Sequence, residues 1–468
     1  MDLTFLGAAG TVTGSKYLVR DKRSSVMVDC GVFQGLKRWR LLNWEPIPVH
    51  AVDIDAVVLT HAHLDHVGAL PLLFRQGFRR PVYCTAATRD LAELVLLDSA
   101  RLHEEDARHA QQHGYSKHAS PLPLYTQEDA EQAIAQFRPV RFSTPVEVAP
   151  GIEAVFTPAG HIPGAASILL SGTQRVLFSG DLGRGNDSLI RPPETPDIAD
   201  CVVVESTYGD REHPTEDGNA TLAQVIVETA ARGGSVLVPT FAIARAQQLI
   251  LQIHRLRRAG RIPHLPVFLD SPMAERATEL FLRHVSELKI DPAEFREALT
   301  SVQATSTPAD SRQLGEMHYP RIILSASGMA TGGRVLHHLR QLAAEPRNSI
   351  LLAGFQAAGT RGAALRDGAR EIKLHGQYVP VNAQVVQLQA YSAHADAREL
   401  LEWLARLPMA PRLVCITHGE PQAADTLRRR ITERFGWNCR IPEYRDRYDL
   451  GELQPLALPL TKTPGPQP

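Results

Sequence analysis

The chain has little cysteine and pairs none of it. Cys30, Cys84, Cys201, Cys415 and Cys439 are scattered over 468 residues without a CxxC spacing. That excludes a disulfide framework and a zinc ribbon, and it fits a reducing compartment. No apolar run reaches the roughly 20 residues of a membrane span. The N-terminal MDLTFLGAAG lacks a basic segment followed by a long apolar one, so no secretory signal is read. A cytoplasmic protein that does not enter a membrane is the expectation. Neither sign of charge is in excess, with 50 Lys and Arg against 51 Asp and Glu. Composition therefore gives no global sign of nucleic-acid binding, and only a local basic groove stays open.

What is present suffices for two or three domains with an ordinary core: 44% hydrophobic and 22% charged residues. Up to about residue 200, short apolar runs alternate with turn signals. LTFLG and KYLVR flank the glycine-rich AAGTVTGS, which reads as a hairpin connection because its spacing is wrong for a phosphate loop. SVMVDCG and IDAVVLTH follow, and the pattern suggests a β-meander rather than βαβ units. TRDLAELVLLDSARLHEEDARHAQQH is helical by its apolar spacing. From about 210 helices alternate with buried strands, as in a parallel α/β unit. From about 377 the first texture returns, so an α/β block interrupts a β-rich domain. The tail LTKTPGPQP is Pro-rich and reads as disordered.

Histidine is abundant, at 19 residues, and six positions hold three of them. His61 and His63 follow the apolar AVVLT. Residues two apart in an extended segment project to the same side, so both imidazoles can meet one ion. Asp65 and His66 diverge and suit a neighbouring ion. Three protein ligands per catalytic zinc is the usual count, so more must come from elsewhere. His161 in GHIPGAAS, Asp181 in VLFSGDLG and His418 in VCITHGE each follow an apolar strand, where a sheet edge presents site residues. His254 and His284 stand alone and read as surface or core-edge residues.

THAHLDH, GHIPG and SGDLG resemble the signature of the metallo-β-lactamase fold. VVVESTYG, YSAHAD and THGE resemble the added motifs of its β-CASP nuclease subfamily, in the family's order and over residues 1 to about 440. The resemblance implies an α/β fold: an αββα sandwich with an inserted β-CASP domain. The sandwich would take residues 1–208 and 377–456, the insert 209–376 and the disordered tail 457–468. No KH-like extension is expected before the first strand, nor a long domain after the last.

Carried over by position, His61, His63 and His161 hold one zinc and Asp65, His66 and His418 a second, with Asp181 bridging. Asp29 supports the ligands by hydrogen bonding. His394 stabilises or protonates the leaving oxygen, Glu205 orients it, and Asp65 helps to position water. Ser392 and Arg245 are candidate phosphate contacts. Ser327, Gly328, Thr331 and Gly332, in SASGMATGGRVL, offer backbone N–H groups before a helix. Histidine at 418 favours RNA over DNA by family resemblance. The implied activity is zinc-dependent hydrolysis of single-stranded RNA, endonucleolytic with exonucleolytic action left open, in processing or decay. The alternatives weighed are a small-molecule hydrolase of the same fold, a DNA nuclease and a non-catalytic RNA-binding subunit. The oligomer is left open, a homodimer among the assemblies allowed.

Overall fold

Valine-rich runs between turn signals form most strands, because branched side chains pack well on a pleated surface. Ser24–Val28, Ala56–Val58, Cys201–Glu205 and Leu413–Thr417 are buried along their whole length. The computed structural model describes residues 1–113, 120–195, 197–214, 218–305, 307–452 and 454–455. The expected disordered tail, 457–468, lies outside the described residues.

An eight-stranded sheet runs in the order Gln454–Pro455, Arg447–Asp449, Asp2–Phe5, Tyr17–Asp21, Ser24–Val28, Ala56–Val58, Val82–Thr85, Phe137–Val140. A seven-stranded sheet runs Cys439–Arg440, Leu413–Thr417, Cys201–Glu205, Arg175–Phe178, Ala166–Ser171, Ile152–Pro158, Val146–Ala149. The two pack face to face: Leu3, Phe5, Val26 and Val58 join Phe156, Ile168, Leu170 and Phe178 in one buried cluster. Helices such as Ala86–His113 and Pro421–Phe435 cover the outer faces. This is the expected αββα sandwich. No described helix is long and apolar enough to cross a membrane.

The expected meander holds for the first three strands and again from Val146–Ala149 through Arg175–Phe178, where consecutive strands pair antiparallel. From Ser24–Val28 through Phe137–Val140 the pairing is parallel, by crossovers. The sequence does not show the first crossover because its helices are single turns, Lys37–Leu41, Leu42–Trp44 and Ala51–Asp53, too short for a helical period to register.

The insert is a parallel six-stranded sheet in the order Val302–Ala304, Val267–Asp270, Ile322–Ser325, Val236–Pro239, Ser349–Ala353, Gln384–Leu388. Its last strand falls beyond 377, the residue at which the sequence texture suggests a return to the sandwich. By hydrogen bonding the chain leaves this sheet only after Leu388. Val236–Pro239 and Ile322–Ser325 are adjacent, and the chain departs from them in opposite directions across the sheet. Such a switch point opens a crevice at the carboxyl ends of the strands. Here that end faces the sandwich, with the Phe241 ring 6.4 Å from that of His63.

Candidate active site

The site residues leave their strands at one edge of the sandwich. Asp29 follows Ser24–Val28, His61 follows Ala56–Val58, and His161 follows Ile152–Pro158. Asp181 follows Arg175–Phe178, Glu205 ends Cys201–Glu205, and His418 follows Leu413–Thr417. Asp29 and His418 have φ of 56° and 49°, a conformation non-glycine residues rarely hold and one that marks functional turns. Gly31 lets two turns touch: a Cβ there would fall 1.5 Å from the Asp65 carbonyl oxygen.

Two donor sets result. His63 Nδ1 lies 3.1 Å from both His61 Nε2 and His161 Nε2. Asp181 Oδ2 lies 3.4 Å from His61 Nε2 and 3.6 Å from His161 Nε2. In the second set His418 Nε2 lies 3.2 Å from His66 Nε2 and 3.3 Å from Asp65 Oδ2. Asp181 Oδ1 completes it, 3.3 Å from His66 Nε2 and 3.5 Å from His418 Nε2.

The outer ring nitrogens fix the tautomers. His66 Nδ1–H donates to Asp29 at 2.7 Å, and Asp29 also accepts from the Thr60 N–H and hydroxyl. His418 Nδ1–H donates to Thr207 Oγ1 at 3.1 Å, His61 Nδ1–H to Thr60 Oγ1 at 3.1 Å, and His161 Nδ1–H to the Ala393 carbonyl at 3.3 Å. Each inward nitrogen is then a bare lone pair, the state a metal ligand needs. Thr60, Thr207 and Ser15, whose Oγ lies 3.3 Å from His66 Nε2, were missed from sequence. A hydroxyl directly before His61 and another two residues after Glu205 were the available signals.

Burial drives His61 and His63 down to pKa values of about 3 and about 4. At His66 burial also acts downward, but Asp181 and Asp29 outweigh it and raise the pKa well above the usual value. A field that favours a proton there favours a metal cation in its place. The donor distances fit this. Four donors tetrahedrally placed at about 2.0–2.1 Å from zinc lie about 3.3 Å apart. Buried Asp181 Oδ1 and His63 Nε2 lack a hydrogen-bond partner.

His394 stands beside these sets. Its Nδ1 lies 3.1 Å from Glu205 Oε2, and its Nε2 lies 3.8 Å from Asp181 Oδ2. Glu205 is itself fixed by the Leu182 N–H at 2.7 Å. Burial disfavours the His394 imidazolium, yet Glu205 and then Asp181 prevail and lift its pKa to about 9. His63, Asp65, His161, Asp181, His394 and His418 open on a cleft of about 2290 Å³ between sandwich and insert.

The remaining candidates line the same cleft. Ser392 is buried and its Oγ accepts from the His394 N–H at 3.2 Å. Arg245 is buried and bonds Gln248, so its guanidinium is already engaged. Ser327 Oγ accepts from the Thr331 N–H at 3.0 Å, closing the loop on itself. Gly328 packs so tightly on Phe241 that a Cβ would sit 2.6 Å from its ring. Gly332 faces open space. His284 bonds Asp90, and His254 is buried; neither joins a donor set.

A sandwich that gathers histidine and aspartate at a sheet edge, under an inserted α/β cap, defines a metal-dependent hydrolase of the metallo-β-lactamase superfamily. Residues 9–208 match that superfamily, 246–365 the Beta-Casp domain, and 378–442 the Zn-dependent metallo-hydrolase RNA specificity domain. Ribonuclease TTHA0252 of Thermus thermophilus is 36% identical, over 90% of this chain and 94% of that protein. Transcription termination factor FttA of Methanocaldococcus jannaschii is 31% identical, over 91% of this chain and 69% of its own length. The factor of the same name from Pyrococcus abyssi is also 31% identical, over 95% and 70%. The chain belongs to the β-CASP family of metallo-β-lactamase-fold nucleases. A crystal structure of a protein of unknown function from Enterococcus faecalis V583 shares the fold at a TM-score of 0.52 and 14% identity, covering 95% of this chain and 99% of that one.

Proposed function

We propose that the chain is a zinc-dependent ribonuclease hydrolysing phosphodiester bonds of single-stranded RNA. His61, His63 and His161 would hold one zinc, Asp65, His66 and His418 a second, and Asp181 both. Two zinc ions there would lower the pKa of water and neutralise charge on the scissile phosphate. The observation that carries the reading is the Glu205–His394 pair beside the donor sets. Hydrolysis of a phosphodiester leaves an alkoxide that needs a proton. Glu205 takes His394 Nδ1–H and favours the imidazolium form, and the His394 side chain lines the cleft. It therefore holds the proton for the leaving oxygen. Ser392 fixes the backbone N–H of His394, and Asp65, beside His418, orients water. A small-molecule hydrolase needs neither this pair nor the cap.

RNA as substrate class is supported by the matched RNA specificity domain and by the relative named a ribonuclease. Single-strand preference, endonucleolytic cutting with an exonucleolytic component, a cytoplasmic location and a homodimer belong to the reading as expectations. The test incubates the protein with end-labelled single-stranded RNA, duplex RNA and DNA, with and without chelator. Chelator-sensitive ladders from both labels of single-stranded RNA are expected. RNA cleavage that survives chelation, or cleavage of DNA alone, overturns the reading. His394→Ala should keep both metals and slow turnover roughly 10²–10⁴-fold; loss of metal instead would make His394 a ligand.

A further inference from the structure

The segment 36–45, LKRWRLLNWE, contributes no metal donor. Lys37–Leu41 forms one helical turn and Leu42–Trp44 a 3₁₀ turn, neither with a buried residue. Lys37, Arg38 and Arg40 stand exposed against a single acid, Glu45. Trp44 is 61% exposed and Leu41 52%. Apolar surface of this size at a functional rim calls for a partner. Both side chains line the same cleft as His63, Asp65 and His394.

The segment is held stiffly. Asn43 accepts from the Phe33 N–H and donates to the Phe33 carbonyl, each at 2.8 Å. Trp39 stacks on Phe33 with ring centres 5.7 Å apart and planes 14° apart. The buried Lys16 ammonium lies 4.3 Å from the centre of the Phe33 ring and donates to the Gly14 and Gly31 carbonyls. Trp39 is thus spent on anchoring, and Trp44 is left outside. The cap adds a cation to this rim: Arg361 donates to the Lys373 carbonyl at 2.7 Å through Nε and to the Ala330 and Thr331 carbonyls at 3.2 Å through Nη1, so its Nη2 is the group offered to a phosphate. The two segments touch two residues before Arg361: a Cβ on Gly359 would fall 2.9 Å from the Leu36 side chain, and one on Gly35 would fall 2.7 Å from the Ala358 carbonyl oxygen.

We infer that this rim is a platform for the strand outside the cleft: Trp44 stacks on a nucleobase while Lys37, Arg40 and Arg361 receive flanking phosphates. The inference rests on the RNA reading above and adds to it a binding site remote from the metals. Continuity with the cleft and the local excess of cations select a single-stranded polyanion. An exposed indole takes any base, because every base has a π-face.

The test measures fluorescence anisotropy of labelled single-stranded RNAs of increasing length on the full chain carrying His63→Ala, which leaves the probe uncut. Affinity is expected to rise once the strand outgrows the cleft. Trp44→Ala should remove about tenfold of that gain, Trp44→Phe should keep most of it, and an abasic tract should remove it without mutation. Arg40→Gln should lower both affinity and its salt dependence. Thermal melting of each variant reports whether the fold stands, and the abasic strand needs no variant at all. An equal gain in affinity for Trp44→Ala and for abasic strands overturns the platform while leaving the nuclease reading intact, and would give this surface to a protein partner. If the unmutated chain neither binds nor cuts RNA, both fall together.

Discussion

One buried polar cluster lies in the cap and one in the sandwich, and they are built from similar side chains to opposite ends. In the cap, Asp270 is fully buried and each of its oxygens accepts two hydrogen bonds. Oδ1 takes Thr305 and Arg334 at 2.7 Å, and Oδ2 takes Ser311 and His338 at 2.5 Å. Four donors meet the two oxygens and the carboxylate needs nothing further, although His338 Nδ1 behind it lacks a partner among the described residues. In the sandwich, imidazole nitrogens face one another at 3.1 to 3.2 Å with carboxylates between them. The outward bonds of His61, His66, His161 and His418 turn lone pairs toward one another and toward Asp181, an arrangement that cations complete. Burying unpaired acceptors is costly, so the sandwich cluster marks a site and the cap cluster marks structure.

The sharpest way to break this comparison is His63→Ala. Removing a donor from the incomplete cluster should abolish chelator-sensitive cleavage and lower the bound metal, while the melting temperature of the metal-free chain stays near its unmutated value. A large loss of stability in the metal-free chain would show that the histidines hold the fold together and would erase the distinction.

Asp270→Asn should do the reverse. Breaking a buried charge pair costs on the order of 3–5 kcal/mol, read as a lower denaturant midpoint, with metal content retained. Burial raises the Asp270 pKa, but His338, Ser311, Thr305 and Arg334 outweigh it and hold the pKa below its usual value. Because the folded value is the lower one, this stabilisation is present above the unfolded pKa of about 4 and is lost as pH falls through the folded value. Acid should therefore weaken the unmutated chain more than Asp270→Asn. A parallel acid response of the two would contradict that.

The two clusters also differ in how far the sequence discloses them. HAHLDH compresses four donors into six residues, and the strand-end positions of His161, Asp181 and His418 follow from apolar runs that stop at a polar residue. The Asp270 cluster draws on positions 270, 305, 311, 334 and 338; only Arg334 and His338, four apart at the start of one helix, share an element, and no local pattern joins them to the other three. The hydroxyls of Thr60 and Thr207 are silent for a related reason. Their role is set by which ring nitrogen they face, which periodicity does not encode. The cap's last strand, Gln384–Leu388, is a short QVVQL run without clean alternation, so nothing local assigns it to one sheet rather than another.

Thr207→Val isolates the tautomer argument. The hydroxyl that accepts from His418 Nδ1–H is lost, and the inward lone pair of His418 is no longer enforced. Partners of this kind are worth about 10- to 100-fold in metal affinity or activity. A zinc competition assay should show weaker binding, with stability nearly unchanged. Unaltered affinity would mean that packing alone orients His418.

The finest test compares two serines. Ser311 Oγ donates to the Asp270 carboxylate at 2.5 Å, and hydrogen bonds to charged groups contribute about 1.5–3 kcal/mol. Ser311→Ala should lose roughly that much stability and no metal affinity. Ser15 Oγ lies 3.3 Å from His66 Nε2, the lone pair that an ion would claim. With the ion in place that nitrogen has nothing left to share. The Ser15 N–H would still donate to the Asp65 carbonyl at 2.9 Å, because that bond does not involve the side chain. Ser15→Ala should therefore change zinc-loaded activity by less than about threefold and stability by less than about 0.5 kcal/mol. If Ser15→Ala proved as damaging as Ser311→Ala, the hydroxyl would be completing the sandwich cluster by itself, and the case for a cation at His66 would weaken accordingly.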